Sequence, residues 1–228
     1  MHVPDGFLTA PVSVATALIA VGGVSVAIRG ARTELDEKTA PMTGLVAAFV
    51  FAVQMMNFPV GAGTSGHLMG GVLAAILIGP YTGALCVAVV LIVQGLLFAD
   101  GGLTAMGTNI LLISLVTTFG GWGMFRTLVR TLPKTRLGLL VSAGISAFLS
   151  VPLAALVFVG LYVVGGTVDI DLAALTATML GVHVLVGFGE AAITVAVLSA
   201  VLSARPDVVY GARHLTPALA LKTSTAAA

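Results

Sequence analysis

Seven apolar stretches run along the chain, at residues 11–28, 41–57, 66–78, 81–99, 108–129, 138–164 and 172–203, with polar positions gathered between them. A helix crosses the hydrocarbon of a bilayer with about 20 apolar residues. The pattern therefore predicts an all-α integral membrane protein, a compact bundle of seven transmembrane helices. The third stretch, at roughly 13 residues, is short for a crossing. It follows Pro59-Val60-Gly61-Ala62-Gly63-Thr64-Ser65. Non-helical backbone at membrane depth persists only where protein or a cavity surrounds it, so this loop, within 57–66, is expected to line a site. Pro80 leaves almost no connector between the third and fourth stretches, which predicts a tight helical hairpin. Gly66, Gly70 and Ala74 form one row at four-residue spacing, and Gly71, Ala75 and Gly79 form another. Such rows let helices approach closely and predict packing inside the bundle ahead of a docking face for another subunit.

Composition agrees with the pattern. The 228 residues are 58% hydrophobic and only 8% charged, against roughly 25% charged in a soluble globular domain. The net charge of +1 offers no basic bulk for nucleic acid. The single cysteine, Cys86, stands in an apolar run and reads as a small buried hydrophobe. No internal repeat is visible, which disfavours an inverted-repeat transporter that moves substrate by itself.

Charge placement orients the bundle. With the amino terminus outside and seven crossings, the inner segments are 29–40, the turn near Pro80, 126–136 and the tail after 203. All ten basic residues fall there: Arg29, Arg32, Lys38, Arg126, Arg130, Lys134, Arg136, Arg205, Arg213 and Lys222. The outer segments carry Asp5, Asp100, Asp169 and Asp171 and no lysine or arginine. The positive-inside rule then places the chain in the cell membrane as a multi-pass protein, amino terminus outside and carboxyl terminus in the cytoplasm. The expected organisation is a membrane domain over 1–204, with an outer amino-terminal segment over 1–10, and a cytoplasmic tail over 205–228 that is disordered at its end. Residues 1–11 have neither the charged region nor the apolar run of a signal peptide. Met1 is expected to remain, since trimming requires a small second residue.

The chemistry stands at the start. The amine of Met1, the backbone nitrogen of His2 and a ring nitrogen of His2 can reach one metal ion, closing a five-membered and a six-membered chelate ring. These nitrogens share a plane, and a fourth donor such as His67 would complete a square. Square-planar nitrogen ligation suits Ni(II) and Cu(II) rather than zinc or magnesium. His67 lies in Gly61-Ala62-Gly63-Thr64-Ser65-Gly66-His67-Leu68, and the orientation above brings it to the same outer side as Met1. Asp5 is a candidate to orient a ligand histidine through its distal ring nitrogen, or a turn residue after Pro4. Gln54 and Asn57 are candidates to hold the terminal segment in place, or are helix-packing groups. Asp100-Gly101-Gly102-Leu103 forms an outer loop close enough to cover the site. His183, an ionisable group inside the membrane, is a further candidate around the metal, while Glu190 on the same helix face suits an interhelical hydrogen bond. Ser65 reads as a helix N-cap.

These residues resemble a known family. Met1-His2-x-Pro4-Asp5-Gly6-Phe7-Leu8, Gly63-Thr64-Ser65-Gly66-His67-Leu68, Gly70-Gly71-Val72-Leu73-Ala74-Ala75, Phe98-Ala99-Asp100-Gly101-Gly102-Leu103-Thr104 and Gly189-Glu190-Ala191 are similar, in matching order, to the CbiM/NikM family. These are substrate-binding membrane subunits of energy-coupling factor transporters, a class of ABC transporter, for cobalt and nickel. The resemblance implies seven helices and Ni2+ or Co2+ as transported substrate, held by Met1, His2 and His67, with no organic cofactor. It implies partners as well: a transmembrane coupling subunit, two cytoplasmic ATPases and often a small accessory membrane protein. The chain itself has no phosphate-binding Gly-x-x-x-x-Gly-Lys-Ser/Thr loop. Members tied to cobalamin synthesis often read Met-Glu-Gly-Phe and Ser-His-Pro where this chain has Pro4-Asp5-Gly6-Phe7 and Gly66-His67-Leu68. That leans towards nickel.

A competing reading is a rhomboid-like intramembrane serine protease, with Ser65 of Gly63-Thr64-Ser65-Gly66 as nucleophile and His183 as base. Rhomboids also carry a Trp-Arg pair in their first loop and a glycine three residues after the base. This chain has only Trp122, without that pair, and Val186 in place of the glycine. A third reading is a structural membrane subunit without a ligand.

Overall fold

The computed structural model describes residues 1–35, 39–61 and 64–213. Helix α1 (Ala10–Glu34) carries Pro11 in its first turn, where a missing N–H costs nothing. Its outward face is apolar, with Leu18 69% and Val21 65% exposed, a surface that suits lipid rather than water. Helix α2 spans Thr39–Gln54. Where the sequence suggested a loop, a short antiparallel hairpin pairs β1 (Phe58–Gly61) with β2 (Thr64–Gly66). Lys38 and the loop residues Ala62 and Gly63 lie outside the described residues, as does the side chain of Ser65.

Helix α3 (Gly71–Ile78) has only eight residues, all buried. At 1.5 Å per residue it is about 12 Å long, well short of the roughly 30 Å hydrocarbon layer. The expected start at residue 66 is thus too early, because Gly66 belongs to the hairpin and Gly70, at φ +75°, turns the chain into the helix. Gly79, at φ +98°, joins α3 directly to α4 (Pro80–Leu97), the tight hairpin foreseen at Pro80. A Cβ on Gly83 would fall 2.8 Å from the Ala75 backbone nitrogen, and one on Gly71 would strike the Thr117 hydroxyl. The small residues therefore serve packing within the bundle.

Helix α5 runs over Met106–Thr131 and is wound as a π-helix through Ile110–Gly120. Helices α6 (Arg136–Gly165) and α7 (Leu172–Ala204) form a long antiparallel pair that approaches closely at Gly187, where a Cβ would lie 2.8 Å from the Phe148 carbonyl. Thr135 and Asp171 cap their amino-terminal ends by accepting from Gly138 and Ala174 N–H. Five helices among the described residues (α1, α4, α5, α6 and α7) are long and apolar enough to cross a membrane. Beyond α7, the chain does not leave the bundle at once: Val209 and Ala212 are buried, and Gly211 sits against Ile76 and Phe125. Residues 214–228, including His214, Lys222 and the end of the expected tail, lie outside the described residues.

Candidate metal centre

The first eight residues thread into the bundle instead of lying on it. Met1, Val3, Phe7 and Leu8 are buried, and Phe7 stacks on Phe158 with ring centroids 5.5 Å apart. Thr9 N–H donates to the Gly165 carbonyl at 2.7 Å and Thr167 N–H to the Phe7 carbonyl at 3.1 Å. Asn109, at the start of α5, grips both sides of Val3: its Oδ1 accepts from Val3 N–H at 2.7 Å, and its Nδ2 donates to the Val3 carbonyl at 3.2 Å. Gly102 N–H donates to the same carbonyl at 2.9 Å.

This seating brings the Met1 amine to 2.5 Å from Nε2 of His67, across 66 residues of sequence. His67 donates from Nδ1 to the Leu68 carbonyl at 2.8 Å, which fixes the tautomer and leaves a lone pair on Nε2 facing the amine. The His2 and His67 rings lie 4.5 Å apart, tilted by 36°. His2 turns Nε2 towards the Asp100 carboxylate at 3.6 Å, too long for a direct hydrogen bond. Nδ1, the atom that can close a six-membered ring with the His2 backbone nitrogen, is thereby left on the other side. With metal–nitrogen bonds of about 2.0 Å, neighbouring donors of a square lie about 2.8 Å apart. The amine and His67 Nε2 are therefore spaced as neighbours, not as opposite corners.

Burial governs the protonation of these groups. It lowers the Met1 amine from 8.0 to about 4, against the opposing pull of the Asp100 and Glu190 carboxylates. It lowers His2 from 6.5 to about 3, helped by the neighbouring amine. His67 is held well below its usual range by burial, the amine and His2. All three present lone pairs at neutral pH. Burial also raises Asp100, opposed by a hydrogen bond from Asn57.

The stretch that carries His67 is clamped two residues further on. Glu190 of α7 accepts from Met69 N–H at 2.8 Å and Gly70 N–H at 2.7 Å, and Gln54 of α2 donates to the Met69 carbonyl at 2.7 Å. The carboxylate sits at the amino-terminal end of α3, where the helix dipole favours negative charge. Gln54 therefore holds the His67 stretch, while Asn57 donates to Asp100 at 3.0 Å. Asp5 accepts from the Thr104 N–H and hydroxyl at 2.7 and 2.6 Å, which ties the terminal segment to the loop after α4. His183 donates from Nδ1 to the Met179 carbonyl at 2.7 Å, and its buried Nε2 has no partner among the described residues. Neither end of the buried Gln94 amide has one either. The positions of Asn109 and Gln94 were not singled out by sequence reasoning, although each is an uncharged amide near the outer end of an apolar stretch, as Gln54 is.

Among the described residues, no group of three His, Cys, Asp or Glu side chains could hold a metal ion. The loop over it has no room for a side chain: a Cβ on Gly101, at φ +91°, would stand 2.8 Å from His2 Nδ1 and 2.9 Å from Asn109 Nδ2. Gly101→Ala combines that clash with a left-handed backbone conformation, which costs about 1–2 kcal/mol for a non-glycine residue. Calorimetric titration with nickel is expected to show about tenfold weaker binding. Gly22→Ala, with nothing within 4 Å of the added atom, should match the unaltered chain. Equal affinity for Gly101→Ala would mean that the loop does not press on His2.

A sequence family described as "Cobalt uptake substrate-specific transmembrane region", CbiM, matches residues 2–208. A protein of Haloquadratum walsbyi named for metal transport is 38% identical over 218 residues, covering 92% of this chain and 94% of that protein. A protein of Archaeoglobus fulgidus named for fused nickel transport, NikMN, is 37% identical over 210 residues, covering 92% of this chain and 68% of the relative. The crystal structure of a truncated transition metal transporter superposes with a TM-score of 0.81 at 27% identity, covering 89% of this chain and 99% of that one.

Proposed function

The chain belongs to the CbiM family, whose members are membrane components of metal transport and not enzymes, and from that premise we propose that it is the substrate-binding subunit of an energy-coupling factor transporter that captures Ni2+, or Co2+, with four nitrogens. The observation that carries this reading is the Met1 amine beside His67 Nε2, with the His2 ring against that of His67. The Met1 amine, the His2 backbone nitrogen, His2 Nδ1 and His67 Nε2 form the square. The Asp100 carboxylate, 3.6 Å from His2 Nε2, faces that edge of the ring. Glu190 and Gln54 fix the stretch on which His67 stands, and Asn109 seats the chelating segment. His183 and Ser65 remain candidates for the surroundings of the site. Seven crossings with the amino terminus outside give capture from the exterior. Transport then needs a transmembrane coupling subunit and two ATPases, since the chain has no nucleotide-binding loop, and in this class a small accessory membrane protein often joins them. The fused nickel relative and the dipeptide Pro4-Asp5 favour nickel.

The pH dependence of binding tests the ligand set. Ligands must be deprotonated, so affinity rises with pH wherever binding expels protons. The docked amine, at about 4, and His2, at about 3, have none left to lose between pH 6 and 8. Only the His2 amide proton is released there, and affinity is expected to rise tenfold per pH unit. Protonation of a released amine, normally at 8.0, favours undocking at pH 6 by about 2.7 kcal/mol. Burial of Met1, Val3, Phe7 and Leu8 opposes that with about 1.5–3 kcal/mol each, so the docked state dominates across the window. A flat profile from pH 6 to 8 would exclude amide ligation. A slope of two or three would mean that the amine and imidazoles are not buried as described. The absorption spectrum gives a second reading: square-planar Ni(II) is yellow and diamagnetic.

A further inference from the structure

At the end of the bundle away from Met1 lies a cavity of about 660 Å³ whose charge and shape do not suit the metal. Arg126, Arg130, Lys134 and Arg213 line it together with Trp122 and Tyr210, and Glu34 lies on its floor. Among the described lining residues the four cations exceed the one carboxylate, and that carboxylate already accepts from Tyr81 and Thr82 N–H, at 3.3 and 2.7 Å, at the start of α4. Arg126, Arg130 and Lys134 are exposed and have no ion-pair partner among the described residues. Arg136 and Arg205 are engaged elsewhere: Arg136 donates to Ser199 and Ser203, and Arg205 pairs with Asp207. Like charges gathered in one cavity repel a divalent cation and attract an anion.

Depth identifies the class of anion. Helix α4 leads from this cavity, at Pro80 and Tyr81, to the loop that holds Asp100 beside His2. Its 18 residues rise about 27 Å, close to the thickness of the hydrocarbon layer. The cavity therefore sits at the headgroup level opposite the metal centre. Its rim holds the chain's sole tryptophan and two of its three tyrosines, Tyr81 and Tyr210, the residues enriched where membrane meets water. Arg213 stacks on the Tyr210 ring at 4.3 Å, which fixes one guanidinium at the entrance. Leu35 and Leu137, both exposed, continue from this end as apolar surface. Basic pockets between transmembrane helices at this level hold acidic lipid headgroups.

We propose that this cavity binds the phosphate-bearing headgroup of an anionic phospholipid, with Arg126, Arg130 and Lys134 as the principal contacts. Occupied, it joins the start of α4, the far half of α5 and the segment after α7 through one shared anion. The site is independent of the metal centre and does not rest on the identity of the cargo.

The test is native mass spectrometry of the full chain with defined lipids, read beside nickel titration of the same preparations. Phosphatidylglycerol is expected to be retained at least tenfold better than phosphatidylcholine. Each basic residue near an acidic headgroup contributes enough that R126Q/R130Q should lower retention about thirtyfold, while R126K/R130K keeps most of it. Unchanged nickel affinity in R126Q/R130Q shows that the variant is folded. Should that variant fold poorly, K134Q alone is expected to weaken retention about fivefold. Equal retention of the two lipids overturns the proposal. So does phosphatidylglycerol binding that survives in R126Q/R130Q, which would leave the basic cluster to a protein partner. Displacement of the lipid by millimolar inorganic phosphate would assign the cavity to a soluble anion and overturn it equally.

Discussion

Extending the chain by several residues ahead of Met1 is expected to abolish nickel binding, a loss of at least about a thousandfold in affinity. Two effects act together. The extension turns the Met1 amine into a peptide nitrogen, so the donor that is neutral at pH 7 because burial holds it near 4 ceases to be a basic lone pair. Structural metal sites owe about 10–16 kcal/mol to four ligands, so removing one donor costs about 3–4 kcal/mol, two to three decades of affinity. The second effect is steric. Met1 is fully buried and its nitrogen contacts His67, which leaves no space for further residues. The segment must then withdraw, taking Val3, Phe7 and Leu8 out of the core and His2 away from Asp100. Metal content and calorimetry of the chain with and without the extension, or after protease removal of it, measure this directly. Full-affinity binding by the extended chain would show that the amine is not a ligand and would remove the basis of the proposed site.

The helical plan was legible because lipid exposure imposes it: segments facing hydrocarbon must be apolar on every side, and their lengths appear as unbroken runs. The stretches at 81–99, 108–129, 138–164 and 172–203 reappear as α4 to α7 with small changes at their ends. The third stretch misled for a physical reason. Gly66–Gly70 is as apolar as a helix start, but Gly70 needs φ +75° and Met69 and Gly70 N–H are satisfied by Glu190. A buried backbone group requires a partner, not necessarily a helical one. Here the partner comes from 120 positions away in the sequence, which no local pattern reveals.

The structure brings Met1, His2 and His67 together; in the sequence, charge placement and the family resemblance pointed to His67, since the chelate chemistry of the first two residues names only themselves. The residues that support them were less so, because their roles depend on which backbone group each meets. Asp5 read equally well as a partner for histidine or as a turn residue, and in the structure it ties down Thr104. Gln54 and Asn57 suggested a grip on the terminal segment, but that grip belongs to Asn109, whose side chain covers both polar groups of Val3. Glu34, which no motif singled out, lies buried against Gly79, where a Cβ would be 2.5 Å from its carboxylate. The glycine thus marks a carboxylate approaching from another helix, which sequence spacing cannot show.

His67→Ala is expected to weaken nickel binding at least a hundredfold while leaving the bundle folded. The ring lies 4.5 Å from that of His2 and is one of four donors in the proposed site, so its removal would leave a three-nitrogen chelate formed by Met1 and His2 alone. Such a chelate cannot close a square without a solvent ligand, and the yellow square-planar absorption should give way to the spectrum of a weaker-field site. The cavity left by the ring also strands the Met1 amine, which loses its contact with Nε2 and the Leu68 carbonyl its donor, so added imidazole should recover part of the affinity. Ser65→Ala is expected to lose little, because no nitrogen donor is removed. The order of these two variants separates the readings: a metal site depends on His67, and a serine protease depends on Ser65. If Ser65→Ala proved the more damaging change and cleavage of a membrane peptide accompanied the intact chain, the transporter subunit reading would fail. If His67→Ala bound nickel undiminished with an unaltered spectrum, the fourth donor would have to be another group, and the buried Nε2 of His183, without a partner among the described residues, is the one to substitute next.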